Sequence, residues 1–489
     1  MGLRSGVTYT SGIVCVALLI VSIALLVSNV FTELINSTVK KEFQLRNGTE
    51  AFKAWKNPPP PVYMQFYFFN VSNPAEVLAG GKPFLEERGP YTYREYRQKE
   101  DVTFAENGSA VSALTPKTYV FVPDMSVGDP KVDLISTVNI PAVTVMDMAQ
   151  YSNLMVFAVK AILHFTGEGL FTTRTAHELL WGYQDPLLQS VHILKPDIDG
   201  SFGLFYKMNG TADGDYVILT GEENYMDFAK IIEWSGRKSL DLWLTDQCNM
   251  INGTDGTSFH PLMTKNETIH FFSSDLCRSL YATFEKELDV KGIPAYRFVP
   301  PSEVFANDTI NPANVGFCIP SGHCLGSGVL NVSVCRKGAP IILSSPHFYQ
   351  ADQKYIDDIE GMDPNKENHE TFLDINPLTG ILLKVAKRLQ INVYIEKIDV
   401  FHETGNVQSL IFPVMYLNES VLIDDSSASK LSKVLLETQV ATVIPFMIMG
   451  LGILLGFIFI ILVCTNRTVE KPAGVEPTVT ERTPLLNPS

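Results

Sequence analysis

Two long apolar segments bracket almost the whole chain, and the interval between them carries ten Asn-x-Ser/Thr glycosylation sequons. The segments are 11–31 and 440–464. The sequons begin at Asn36, Asn47, Asn70, Asn107, Asn209, Asn252, Asn266, Asn307, Asn331 and Asn418. At about 1.5 Å per helical residue, each segment crosses a hydrocarbon core of about 30 Å. N-glycans are added only on the lumenal side of the secretory membrane. The pattern therefore predicts a cytosolic N-terminal tail over 1–10 and a lumenal ectodomain over 32–439. A second cytosolic tail follows over 465–489. The first segment carries no charge and runs into Thr32-Glu33-Leu34, so it reads as an uncleaved anchor and not as a signal peptide ending at a small-residue cleavage site. In the second, Pro445 sits near the start, where its missing N–H costs least, and Gly452-x-x-x-Gly456 is a close-packing pattern for membrane helices. Arg4, Arg467 and Lys471 flank the spans on the expected cytosolic sides, although Lys40 and Lys41 do not. The sequons therefore carry the orientation.

The interval reads as mainly antiparallel β structure with short helices, giving an α+β membrane protein. Val62-Tyr-Met-Gln-Phe-Tyr-Phe-Phe-Asn70 is aromatic on both faces, as a covered strand requires, and Tyr91–Arg97 mixes aromatic and charged residues like a half-exposed one. Asn209-Gly210, Asp213-Gly214, Asn252-Gly253 and Asp255-Gly256 are tight-turn pairs of the kind that join antiparallel strands. The prolines after Asn57 read as a stiff strand entry. Around 145–190 a helical bundle is expected. In it Asp147, Gln150, Asn153, Lys160 and His164 form a narrow polar stripe on one helix, and its wide apolar remainder predicts burial on several sides. A third span there is excluded, because it would put Asn107 or Asn209 in the cytosol.

The chemistry of an enzyme is missing. His177-Glu178, His369-Glu370 and His402-Glu403 begin like a zinc-protease motif, but Trp181, Leu373 and Asn406 stand where the second histidine belongs. Gly326-Ser327-Gly328 lacks nucleophile-elbow spacing, and no phosphate-binding or calcium loop occurs. No cofactor or metal site is expected. The net charge of −15 excludes nucleic acid as a natural partner. All nine histidines lie between the spans, and their ordinary pKa of about 6.5 falls between secretory and lysosomal pH. Cys248, Cys277, Cys318, Cys324 and Cys335 lie in the ectodomain, where disulfides form. Their number is odd, so one thiol is left over, and Cys318-Ile-Pro-Ser-Gly-His-Cys324 is the easiest local closure.

The C-terminal tail ends Glu481-Arg-Thr-Pro-Leu485-Leu486-Asn-Pro-Ser489. An acidic residue four positions before a leucine pair is an acidic dileucine sorting signal. The leucines suit an apolar slot, and the carboxylate suits basic side chains, of a clathrin adaptor complex. At about 5–6 Å × √n the preceding linker reaches about 20–25 Å from the membrane.

Glu87-Arg-Gly-Pro-Tyr-Thr-Tyr93, Trp181-Gly-Tyr183, Cys248-Asn-Met-Ile-Asn-Gly-Thr-Asp-Gly256, Gly316-Phe-Cys-Ile-Pro320 and Pro346-His-Phe-Tyr349 resemble the class B scavenger receptors over nearly the entire chain. Leu45–Phe52, Asn376–Gly380 and the dileucine tail look most like a lysosomal member of that family. The resemblance implies an antiparallel β-barrel-like ectodomain with a helical bundle at its apex. It also implies an apolar tunnel for cholesterol, fatty acyl chains or phospholipid. It pairs Cys277 with Cys335 and Cys318 with Cys324, leaving Cys248 free. It implies a sorting receptor of lysosomes and late endosomes that binds β-glucocerebrosidase near neutral pH and releases it in acid. The binding helix would carry Gln150, Asn153, Leu154, Phe157, Lys160 and His164, and self-association as a homo-dimer is a further expectation. The family's pH-sensing histidine near the start of that helix has no counterpart in Ala149-Gln-Tyr-Ser-Asn153. Two rival readings are a cell-surface lipid and lipoprotein scavenger receptor and a structural lysosomal glycoprotein. Replacing Leu485 and Leu486 by Ala separates a sorted receptor from a surface one. Surface biotinylation is expected to show the variant accumulating severalfold at the plasma membrane, whereas a surface receptor would not move.

Overall fold

The computed structural model describes residues 2–105 and 107–469, so the sorting signal Glu481, Leu485 and Leu486 lies outside the described residues. Two units are separate: one of the terminal segments, 1–37 with 433–489, and one of residues 38–432.

In the terminal unit, the helix Gly2–Val27 contains one membrane-length apolar stretch and the helix Asp425–Val469 the other. The first helix stops short of the expected residue 31. Asn29 takes a left-handed backbone (φ 49°) and a second helix, Val30–Glu42, begins after it. Both apolar helices also extend beyond the predicted span limits, because polar residues continue the same hydrogen-bonded ladder outside the hydrocarbon-length stretch. Glycine sets how closely they pack. A Cβ on Gly452 would lie 3.1 Å from Leu19, and one on Gly456 would lie 3.1 Å from the Cys15 sulfur.

The second unit is built on one eleven-stranded antiparallel sheet. Its order is Ile269–Ser273, Arg278–Val290, Ile293–Val299, Phe372–Ile375, Leu382–Ile395, Leu410–Leu422, Val62–Val71, Leu85–Tyr96 and Thr118–Phe121. Ile341–Ser344 branches off Leu382–Ile395 and carries Val329–Asn331. Among the described residues this path is open: no ladder joins Ile269–Ser273 to Thr118–Phe121, so the barrel expectation meets a sheet without closure. A four-stranded sheet (Ile231–Trp234, Asp215–Leu219, Ala110–Leu114, Glu100–Phe104) and two strand pairs complete the β structure.

Val62–Val71 is covered because it lies between two ladders, to Leu410–Leu422 and to Leu85–Tyr96. Its Met64, Phe66 and Phe68 are buried. Phe66 meets Tyr93, Trp181 and Phe205 edge-on at centroid distances of 5.7, 6.3 and 4.9 Å. On the opposite face Tyr67 stacks on Tyr416 at 4.5 Å. The pairing shifts by a bulge between Phe66 and Phe68, where Gly89 packs so closely that an added Cβ would lie 2.7 Å from the Phe66 carbonyl oxygen.

Tyr91–Arg97 departs from the half-exposed expectation, since Tyr91, Thr92, Tyr93 and Glu95 are buried. The charges turn inward because they find partners there. Arg97 lies 2.9 Å from Glu95 and 2.7 Å from Glu419, and Lys387 lies 2.7 Å from Asp275 and 3.8 Å from Glu419. Burial by itself would raise the Glu419 pKa, but Arg97, Lys387 and Lys117 outweigh it and bring it down to about 2. Burial raises Glu95 above the usual carboxylate range despite Arg97. Removing the shared cation would leave buried Glu95 without its ion-pair partner and Glu419 with the more distant Lys387. Arg97→Met is expected to lower unfolding stability by about 3–5 kcal/mol, measured by fluorescence-detected denaturation of the full-length protein in detergent.

Candidate functional site

Three helices form a small bundle with a core of its own. Asn139 caps Ile140–Ala149 by accepting the Ala142 N–H at 3.1 Å, and Pro141 falls in the first turn, where its missing donor is harmless. Asn153–Thr166 ends at Gly167, whose left-handed backbone (φ 71°) lets its N–H reach the Leu163 carbonyl. Asp185 caps Pro186–Leu194 by accepting the Leu188 N–H at 2.8 Å. Ala142, Met146, Ala149, Val159, Leu163, Leu187 and Val191 pack together, closed by Ile398 and Phe401 from a distant loop.

The single helix expected across 145–166 is broken. Ser152 is extended (φ −137°, ψ 113°) and starts a second helix, because a serine's short polar side chain competes with helical backbone and suits a helix entry. The expected burial on several sides is also corrected. Only the face carrying Val159 and Leu163 is buried. Leu154, Phe157 and Phe165 are 78%, 75% and 87% exposed, and Tyr151 before them is 85% exposed. At 100° per residue the three helical side chains fall in one outward sector. Asn153, Lys160 and His164, all exposed, form the sector beside it. Gln150 is half-buried and donates to Asp147 Oδ1 at 2.9 Å. Burial raises the Asp147 pKa, with Glu396 adding to the shift. The site as assembled is an apolar patch bordered by amide, ammonium and imidazole groups. Sequence reasoning did not single out Tyr151 or Phe165, although their place beside Leu154 and Phe157 was the available signal.

A second group of residues was quoted only as motif. Glu87 and Pro346-His-Phe-Tyr349 come together: His347 Nε2 lies 2.8 Å from Glu87 Oε2. His347 is buried and stacks on buried His369 at 4.5 Å with 8° between the rings. The Asp363 N–H donates to His347 Nδ1 and the Asn365 N–H donates to His369 Nδ1, each at 3.0 Å. Each Nδ1 is an acceptor and therefore unprotonated. Burial, then the neighbouring His347, lowers the His369 pKa to about 4. His347, Phe348 and Gln350 all take left-handed backbone (φ 52°, 59° and 62°), a run of strain that the packing around the imidazoles holds in place. Glu87 and Arg88 also line an open cavity of about 560 Å³ with Tyr91, Val127, Val132, Asp133 and Leu134.

None of the ten sequon asparagines is buried. Asn331 and Asn418 use their amide nitrogens on the Ile319 carbonyl and on Gln65, each at 3.0 Å. Cys318 and Cys324 form a disulfide. Cys277 and Cys335, expected as a second disulfide, stand as two thiols in side-chain hydrogen-bond contact, close enough to touch but without the covalent bond. Cys248 is unpaired and buried, its thiol 3.5 Å from the Ala313 carbonyl.

Two terminal membrane-length helices around a sheet-rich ectodomain agree with what the chain matches. Residues 13–463 match the CD36 family, and the chain belongs to this family of class B scavenger receptors. Lysosome membrane protein 2 of Rattus norvegicus is 55% identical over 98% of both chains, and that of Homo sapiens 54% identical over the same shares. Scavenger receptor class B member 1 of Mus musculus is 36% identical over 94% of this chain and 90% of its own. These relatives are named as a membrane protein and a receptor, in keeping with the missing enzyme signatures.

Buried His369 makes stability depend on pH. His369 titrates near 4 in the folded state and near 6.5 in the unfolded one, so the unfolded chain binds the extra proton first as pH falls. Stability is therefore full above about pH 6.5 and is lost progressively toward pH 4. His369→Asn is expected to remove about 2 kcal/mol of the difference between pH 7 and pH 5, read as a flatter plot of unfolding midpoint against pH.

Proposed function

We propose that this protein is a two-span receptor of the lysosomal and late-endosomal membrane that carries β-glucocerebrosidase to its destination. Both termini face the cytosol. The observation that carries the reading is the apolar patch Leu154, Phe157 and Phe165 on the outward side of the bundle. Large aromatic and aliphatic side chains held on a rigid helix with nothing over them suit a protein partner, and Lys160 and His164 border the patch with charge or charge capacity. Release in acid does not need a histidine at the helix start. Asp147, with its raised pKa inside the bundle, offers a titratable group. The relatives named lysosome membrane protein 2 support the compartment. Glu481, Leu485 and Leu486 supply adaptor binding, and Cys277 and Cys335 close as a second disulfide in the oxidising lumen.

The same reading includes a barrel-like ectodomain whose interior passes cholesterol, fatty acyl chains or phospholipid. The cavity walled by Val127, Val132, Leu134 and Tyr91 together with the charged Glu87, Arg88 and Asp133 is its proposed mouth on this chain. A surface scavenger receptor for lipid is the alternative. It rests on the 36% identity to scavenger receptor class B member 1.

Capture of β-glucocerebrosidase by the full-length protein in detergent is the test. Binding is expected at pH 7 and lost at pH 5. Leu154→Ser with Phe157→Ser is expected to weaken the pH 7 binding by at least about 30-fold, since two exposed anchors contribute about 1–2 kcal/mol each. Undiminished capture by the double variant would remove the patch from the interface, and no capture at either pH would remove the cargo role.

A further inference from the structure

Arg278 opens the strand Arg278–Val290 and is buried, with 5% of its surface exposed. Among the described residues no carboxylate lies within ion-pair distance of its guanidinium. One of its N–H groups, on Nη2, reaches an acceptor, the Val304 carbonyl at 3.2 Å, and Nε is buried without a partner. Two rings cover the cation, Phe317 at 3.8 Å and Phe305 at 5.3 Å. A guanidinium has five donors, and an enclosed charge without an opposing one is among the costliest arrangements in a protein interior. Burial pushes its pKa down to about 10, which leaves it charged at neutral and at lysosomal pH.

The groups around it do not supply the missing anion. The Cys248 thiol is 3.5 Å from the Ala313 carbonyl and is committed there. The Asp308 carboxylate lies within 4.8 Å of the Cys318 and Cys324 sulfurs and makes no ion pair with the arginine. Asn314 uses its amide nitrogen on the Glu303, Val304 and Ala306 carbonyls. Beside Arg278 a void of about 30 Å³ opens, walled by Phe317, Asn314, Asn331, His323, the Cys318–Cys324 disulfide and Asp308, whose carboxylate is the one acidic group in the lining. That space holds an occupant of about one water's size, too small for a carboxylate or phosphate headgroup.

We propose that this void is a halide site in which chloride serves as the counter-ion of Arg278 and ties the Arg278–Val290 strand to the disulfide loop. The anion accepts from the unused guanidinium N–H groups, and the aromatic rings shield the pair from solvent. It is a structural site, separate from the helical bundle and from the Glu87 cavity.

The test uses the full-length protein in detergent at fixed ionic strength, with chloride replaced stepwise by gluconate. The unfolding midpoint is expected to fall saturably by about 2 °C on removing chloride. Arg278→Gln should lose this dependence. Equal midpoints in the two salts, or the same chloride response in the variant, would overturn the proposal. Crystals of the unsubstituted protein soaked in sodium bromide give a reading that does not depend on the variant folding. A bromine anomalous peak at hydrogen-bond distance from the guanidinium is expected. Water alone at that position, or a peak without any stabilisation in solution, would overturn it.

Discussion

The pairing of Leu382–Ile395 with Leu410–Leu422 is the interaction on which the ectodomain depends. Its ladder runs from Lys384 opposite Leu422 to Ile395 opposite Leu410. One member of the pair receives Phe372–Ile375 and Ile341–Ser344, and the other receives Val62–Val71. Most of the sheet therefore grows from this hairpin. The Lys387–Glu419 pairing sets the inner charge cluster in register, and a slip of one residue would part the two charges onto opposite faces.

That central pair also explains why distant motifs meet. Gln390, on Leu382–Ile395, accepts the His347 N–H at 2.7 Å, and Tyr416, on its partner strand, stacks on Tyr67. Glu87 then reaches His347 from the strand on the far side of Val62–Val71. Two of the short segments that identify the family in sequence thus help lock the sheet: they supply the bulge glycine Gly89, the Glu87 carboxylate and buried His347. They are structural devices before they are functional ones. The exposed apolar patch lies elsewhere, on a bundle whose core belongs to a separate cluster of side chains.

Some elements were legible because a local rule fixes them. The apolar runs had to be long helices, and Val62–Val71 had to be covered because its alternation is aromatic on both faces. Asn209-Gly210 and the other turn pairs carry left-handed glycines, as their dipeptides require. Cys318 and Cys324 could close across a proline–glycine turn without help from the rest of the fold. Other readings failed for a common reason. Glu95 and Arg97 looked like surface charges because their partner, Glu419, lies more than three hundred residues away. Burial of the bundle helix on several sides failed as an expectation because an apolar side chain carries no sign of whether anything will cover it; the resemblance, not the periodicity, put Leu154 and Phe157 on a binding face. The break at Ser152 was hidden because the apolar period continues through it.

By itself the sequence determined the two apolar anchors, the glycan-acceptor pattern between them, the β-rich character of the interval and the absence of enzyme signatures. Each follows from composition or from spacing over a few residues. Only the tertiary structure decided which charges went inside, which apolar face of the bundle stayed uncovered, and that buried His347 and His369 stack beside the exposed Glu87. It also decided that Arg278 has no carboxylate partner among the described residues. The physical reason is that burial and pairing are properties of neighbours, and here the neighbours are brought together by strand ladders between segments far apart in the chain.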